Sequence, residues 1–371
     1  MVFGTPVSGE EFFDRKALLS DLKKTIYHAH HALIGPRGCG KSSVLKQLAE
    51  MERVNNLVPI YIDIGRIVPR TYCNVIKKIG REALYAVVKD KGLIKSMPAL
   101  IRSKVANVAD FVRDNFRVKI SDWITLYFDP EADLTEFIEQ TFSTIESYGT
   151  EMLLMLDEIS SIVKISGTKP NDEDMEFLEA LKGHISDAKN VHYILSGSRT
   201  GIMDLLIKVK FGRLLVPKEI GGLEEGGAEE LVRNKIGQVS ASFITELKKR
   251  THLWPLYIQA YCLATKISKA RPEKVADLDN DVFGILHGHF RYLESELSEH
   301  ELLVLLSSVD DQKVSTIAAK IGASYYAAQS ALRTLELKGF VKKIAPGTYL
   351  PLDPLFSDWL KREYEKPEEW K

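Results

Sequence analysis

Through the first 220 residues, short apolar and β-branched runs alternate with longer stretches whose apolar residues recur every three or four positions. The runs at 29–34, 58–64, 152–156, 191–195 and 214–220 predict strands, and 41–51, 134–147 and 174–187 predict helices between them. Strand–helix alternation of this kind needs crossover connections, so it predicts an α/β core with a mainly parallel sheet. After Gly221-Gly222 the strand pattern stops, and residues 226–296 read as helices only, with helical apolar spacing at 254–267 and 282–297. Helical patterns continue at 299–309 and 314–321. A turn at Gly322-Ala323-Ser324 precedes a third helix to about Leu337. Two strand-like runs, 340–344 and 348–352, then flank Ala345-Pro346-Gly347 as a hairpin would. Helix, helix, turn, helix and a two-stranded wing form a winged-helix pattern. The expected division is an α/β core over 1–222, a helical segment over 223–297 and a winged helix over 298–371.

Composition narrows the class without naming a task. The 371 residues are 45% apolar and 27% charged, which is enough for sizeable cores. Fifty basic against 51 acidic side chains leave a net charge of −1, which excludes a histone-like or acidic-tail protein. Cys39, Cys73 and Cys262 are widely spaced and odd in number, against a disulfide framework or a cysteine-based zinc site. No apolar stretch is long enough for a membrane span, and the first residues lack a signal-peptide core. A cytoplasmic protein with no membrane association is the expectation.

Chemistry enters at Gly35-Pro36-Arg37-Gly38-Cys39-Gly40-Lys41-Ser42, a complete G-x-x-x-x-G-K-[ST] pattern between a predicted strand and a predicted helix. Its glycines let backbone N–H groups crowd around phosphates, and the helix N-terminus that carries Ser42 and Ser43 adds positive potential. Lys41 would neutralise β/γ oxygens, and the Ser42 hydroxyl would ligate Mg²⁺. The run ending in Asp157-Glu158 supplies the carboxylates. Asp157, at a strand's C-terminal end, is the expected second holder of the metal, and Glu158 the group that polarises an attacking water. ATP and Mg²⁺ are the implied cofactors.

With the downstream pattern, these motifs resemble the archaeal-type P-loop ATPases of the STAND group, related to AAA+, over nearly the whole chain. The resemblance makes Phe12-Phe13-Asp14-Arg15 the N-terminal box whose backbone lines the adenine pocket, with Phe13 and Arg15 as nucleotide-contacting positions. It puts Ser198, in Ser196-Gly197-Ser198-Arg199 after the fourth strand, at the polar sensor of the γ-phosphate. It puts Arg213, before the fifth strand, where relatives carry an arginine finger; Arg199 could act similarly within its own chain, and either could instead be a surface arginine that caps a helix or pairs with an acid. A finger in trans implies a homo-oligomer. Pro255-Leu256-Tyr257-Ile258-Gln259 is similar to the family's lid segment, but Leu253 and Trp254 stand where its glycine would lead in, and no lid arginine occupies a sensor-two position. Leu352-Asp353-Pro354-Leu355-Phe356 with Trp359-Leu360 resembles its winged-helix ending.

Two surfaces are candidates for a partner. Residues 298–371 sum to −1, yet 320–343 carry five bases (Lys320, Arg333, Lys338, Lys342, Lys343) against Glu336, and Tyr325, Tyr326, Gln329 and Arg333 are spaced to face a major groove. The segment 77–119 carries eleven bases against four acids with apolar residues interleaved, which suits a solvated helical face, nucleic-acid phosphates or an acidic protein. Three functions follow: an ATP-hydrolysing switch that couples nucleotide state to a protein or double-stranded DNA partner; a DNA-binding initiator or loader similar to archaeal origin-recognition proteins; and a regulator that binds ATP but barely hydrolyses it, which Glu158 beside Asp157 argues against.

Overall fold

A computed structural model describes residues 3–90, 134–268 and 274–364, apart from 52, 70, 164, 167, 168, 171 and 199. Five parallel strands form the central sheet: β1 (His30–Ile34), β2 (Val58–Asp63), β3 (Met152–Asp157), β4 (Val191–Gly197) and β5 (Leu215–Glu219), in the order β2-β3-β4-β1-β5. Each matches a predicted run to within two residues at either end. Five helices of this part follow: α1 (Lys16–Thr25), α2 (Lys41–Ala49), α3 (Tyr72–Asp90), α4 (Leu134–Ser147) and α5 (Asp172–Asp187).

Alternation of side chains along the strands divides the interior in two. Met152, Leu154 and Leu156 of β3 join Ala32, Ile34, Val191, Tyr193 and Leu195 on the face covered by α3, α4 and α5. Leu153 and Met155 join Leu33 and Ile194 on the face covered by α1 and α2. All six residues of β3 are buried, as expected of a central strand clad on both sides.

Past β4 the chain forms α6 (Thr200–Leu205), a π-helical turn and a short 3-10 turn, Gly212–Leu214, before β5. Beyond Leu223 it is helical: α7 (Glu225–Ile236), α8 (Ala241–Thr251), α9 (Pro255–Ser268) and α10 (Asp279–Ser295). Helices α11 (Glu299–Asp310), α12 (Val314–Lys320) and α13 (Tyr325–Lys338) follow, then the antiparallel pair β6 (Val341–Ala345) and β7 (Thr348–Pro351), and α14 (Pro354–Tyr364). The helical segment and this last part share one apolar core running from Leu223 to Leu360. Only Glu296 and Leu297 separate α10 from the N-cap of α11, where Ser298 and Glu301 form a capping box. Helix α13 packs against α6, so the helix read as groove-facing rests partly on the α/β core. Tyr325, Tyr326 and Arg333 stay exposed on it, and Gln329 is half-buried.

Of the basic stretch 77–119, only residues up to Asp90 are described; they belong to α3, where Lys78 pairs with Glu82 at 2.7 Å and Arg81 reaches the same carboxylate at 3.4 Å. The remainder of that stretch, and the chain beyond Tyr364, lie outside the described residues. Among the described residues no helix is long and apolar enough to cross a membrane.

Candidate nucleotide site

Strand order decides which residues can meet. Strand β4 lies between β1 and β3, so its C-terminal end, Ser196 to Ser198, is wedged between the loop that leaves β1 and the carboxylates that end β3. Open α/β sheets bind ligands at this edge.

The loop 35–42 turns through Gly38 at φ +80° and Gly40 at φ +96°, conformations that cost other L-residues strain. At Gly38 space adds a second constraint, because a Cβ would lie 2.9 Å from Leu256 of α9. Leu256 N–H also donates to the Gly38 carbonyl at 3.2 Å. The start of α9 thus rests directly on the loop although the glycine that the sequence resemblance leads one to expect is missing. Leu253 takes the left-handed conformation itself, φ +55°, held by its carbonyl's bond from Leu223 N–H at 2.9 Å.

Lys41 is buried and its ammonium donates to the carbonyls of Gly35 (2.8 Å) and Pro36 (2.9 Å). Ser42 and Ser43 open α2; the Ser43 hydroxyl accepts from Val7 N–H at 3.1 Å, which ties the N-terminal arm to the helix. Gly38, Gly40, Lys41, Ser42, Ser43 and Glu158 line a cavity of about 380 Å³, closed on the other side by Pro255, Leu256, Gln259, His289 and the arm residues Phe3–Pro6. Its size and composition, with backbone donors and a lysine on one wall, fit a phosphate-bearing ligand.

The carboxylate side is more elaborate than the motif alone. Asp157 is buried; its Oδ2 accepts from Tyr61 O–H at 2.8 Å and its Oδ1 from the Ser196 hydroxyl. Burial first, and the Asp157 charge second, push the Tyr61 phenol far up, so it stays a donor. Asp63, at the end of β2, sits high for a carboxyl because of burial and then the neighbouring Asp157 charge. Glu158 stands at φ +59°, a strained backbone position of the kind concentrated at functional sites. Its Oε2 accepts from the Ser198 hydroxyl at 2.9 Å and from Ser198 N–H at 3.3 Å.

Arg37, third in the loop, also lines the cavity. Its Nε donates to Ser198 Oγ at 3.2 Å, and an Nη2 donates to Glu296 at 3.1 Å. Arg15 pins the loop from behind, donating to Gly221 O at 2.6 Å and Cys39 O at 3.3 Å. Phe13 packs against the lid core and, with Phe12, Arg15, Cys39, Gly40 and Leu223, lines a smaller hollow beside the loop. Among the predicted positions, the structure brings together Phe13, Arg15, the whole loop, Asp157, Glu158 and Ser198. It does not bring in Arg213, which is exposed just before β5. Leu215 pairs with His30 at the start of β1, so Arg213 lies at the N-terminal end of the strands, the opposite end from the loop and about 13 Å or more away along five residues of strand. Arg199 is outside the described residues. Tyr61, Ser196, His289 and Glu296 escaped the sequence reading. A tyrosine two residues before a strand's acidic end was a signal for the first; nothing local marked the last two.

A fold that feeds a glycine-rich loop from a parallel strand into a helix N-terminus, with an acidic strand end two strands away, falls in the class of P-loop nucleoside triphosphatases. Residues 31–216, half of the chain, match the family described as ATPase family associated with various cellular activities (AAA), and the chain belongs to that family and is an ATPase. A search of the curated proteins gives no match. Among solved structures, the Walker-type ATPase of Pyrococcus abyssi is similar in fold over 96% of this chain and 99% of its own, with a TM-score of 0.68 at 16% identity. A STAND protein with a tetratricopeptide repeat sensor from Pyrococcus horikoshii (15% identity, TM-score 0.44, 100% of this chain and 45% of that one) is a weaker likeness. So is the RuvB Holliday junction branch migration motor of Thermotoga maritima (13% identity, TM-score 0.41, 98% of this chain and 99% of that one).

Proposed function

We propose that the chain is a Mg²⁺-dependent ATP-hydrolysing switch whose nucleotide state alters how the helical segment and the C-terminal part, a winged helix, sit on the α/β core. The observation that carries this reading is the cavity between the loop and α9, because its two walls belong to the two parts that would move. Lys41 exchanges the Gly35 and Pro36 carbonyls for β/γ-phosphate oxygens, which supply stronger, charged acceptors. Ser42 and Asp157 would hold Mg²⁺, which would supply neutralisation of phosphate charge. Tyr61 and Ser196 orient Asp157 by donating to its two oxygens. Glu158 accepts the proton of the attacking water, and Ser198 aims its carboxylate. Phe13, Arg15 and the hollow beside them receive the base.

Arg213 supports action in trans: its position at the far end of the strands excludes its own site, and an exposed arginine there suits a neighbouring subunit of a homo-oligomer. For the partner, the packing of α13 on α6 favours a protein or an internal contact over duplex DNA in this arrangement. Tyr326, Arg333, Lys342 and Lys343, which are exposed with α13 packed as it is, support the DNA-initiator reading. The decisive experiment is Lys41→Ala, in which ATP affinity, read with a fluorescent analogue, is expected to fall at least tenfold. Unchanged affinity and turnover would sink the assignment. A salt-titrated duplex-DNA binding assay with and without ATP decides between the two partner readings.

A further inference from the structure

Helix α10 turns one face toward the candidate phosphate cavity. His289, Tyr292 and Glu296 are spaced three and four residues apart, which stacks them on one side of the helix. All three act at the loop. His289 lines the cavity, Tyr292 lies under the Arg37 guanidinium with 4.6 Å from its carbon to the ring centroid, and Glu296 takes an Arg37 N–H at 3.1 Å. The His289 Nε2 is buried and has no hydrogen-bond partner among the described residues. Burial first, and Arg37 second, push this imidazole down to about 4, so it is neutral. A neutral ring can present Nε2–H to an acceptor, and a buried polar atom left unpaired is costly until something fills that role.

Arg37 is shared between two claims. One is Ser198, which is bonded to Glu158, a residue that lines the cavity. The other is Glu296, at the two-residue junction between α10 and α11. The backbone carbonyl of Glu296 accepts from Lys338 Nζ at 2.8 Å, and the same ammonium pairs with Glu301 at 2.8 Å. Lys338 is the last residue of α13, the helix that lies on α6 of the core. A continuous polar chain therefore runs from Glu158 through Ser198, Arg37 and Glu296 to Lys338.

We propose that this face of α10 reads the terminal phosphate: Arg37 exchanges Glu296 for the phosphate, His289 donates to it, and the freed junction loosens its tie to Lys338 and so to α13. A guanidinium forms its best bonds with phosphate in paired, charge-assisted fashion, so the terminal phosphate of ATP outcompetes one carboxylate, whereas ADP lacks that group. Glu296 is thus a competitor of the nucleotide. The inference rests on the nucleotide reading of the loop, and the experiment separates the two.

Titrate fluorescent ATP and ADP analogues into the full chain and into Lys41→Ala, Glu296→Gln, Glu296→Ala and His289→Ala, and follow amide hydrogen exchange across residues 297–304. With Glu296→Gln or Glu296→Ala, ATP should bind about three- to tenfold tighter while ADP changes little. Junction exchange in the nucleotide-free variant should rise to the level that ATP produces in the parent. His289→Ala should weaken ATP about tenfold, the loss of one hydrogen bond to a charged acceptor. Wild-type ATP affinity and junction exchange in both Glu296 variants, or equal shifts for ATP and ADP, would overturn the reader while Lys41→Ala still loses binding. Retained binding in Lys41→Ala would instead remove the nucleotide reading beneath it.

Discussion

The Ser198 hydroxyl stands 2.9 Å from Glu158 Oε2 while accepting from Arg37 Nε at 3.2 Å, so one side chain touches both the candidate base and a cation of the phosphate loop. A carboxylate held in this way is aimed before any ligand arrives. The arrangement is possible because β4 lies between β1 and β3, and it makes the behaviour of Glu158 variants specific.

Glu158→Gln keeps the shape and can still accept from Ser198, but an amide cannot take up a water's proton. ATP binding is expected to persist with turnover lowered by roughly 10²- to 10⁴-fold. Steady-state hydrolysis alongside a binding titration checks this, and wild-type turnover would move the base elsewhere.

Tyr61→Phe removes the donor to Asp157 Oδ2 and leaves the rest of a half-buried ring in place. The Mg²⁺ concentration needed for half-maximal ATP hydrolysis should rise about tenfold or more, the usual size of losing an outer partner of a metal-holding carboxylate. Unfolding midpoints should shift by several degrees at most, because a hydrogen bond to a charged acceptor contributes about 1.5–3 kcal/mol. An unchanged Mg²⁺ requirement would mean that Ser196 alone orients Asp157.

Arg213→Ala should lower hydrolysis while sparing ATP binding, since the side chain is at the far end of the strands from its own loop. Mixed with Lys41→Ala chains, it should regain part of the activity, because each kind of subunit supplies what the other lacks. If oligomers demonstrably mix and no activity returns, the arginine has a structural role.

His30 predicts the response of stability to acid. Its Nδ1 accepts from Tyr193 N–H at 3.1 Å and its Nε2 lies 3.2 Å from the Ile185 carbonyl, a pattern that needs the neutral ring protonated on Nε2. Burial first, then the neighbouring His192, push the imidazole down to about 4 from an ordinary value of 6.5. Between those values the unfolded chain binds a proton that the folded chain refuses. The stabilisation is complete above about 6.5 and is lost as pH falls toward 4. Thermal unfolding midpoints should drop across that window, and His30→Gln should flatten the drop by about one proton's worth of slope. An unaltered slope would show that His30 titrates alike in both states.

Much of this protein was legible from adjacent residues alone. Strands β1, β3 and β4 announced themselves as apolar runs because their side chains alternate between two buried faces, and the loop 35–42 did so because its geometry is set by closely spaced glycines and a helix start. The end of β3 followed from a buried run stopping at two acids. Periodicity and local backbone demands act over a few residues, so a linear reading captures them. Tertiary structure alone brought together groups separated by tens or hundreds of positions. Tyr61 and Ser196 flank Asp157 only because β2, β3 and β4 are neighbours in that order. His289, Tyr292 and Glu296 meet Arg37 about 250 residues away in sequence only because α9 seats the lid on Gly38. Leu253 shows the same limit from the other side. The sequence lacks the glycine expected there, yet tertiary bonds hold a leucine at φ +55°, and the segment reaches the loop regardless. Local rules specify what each stretch prefers; which stretches touch, and which preferences are overruled, is decided by the packing of the whole chain.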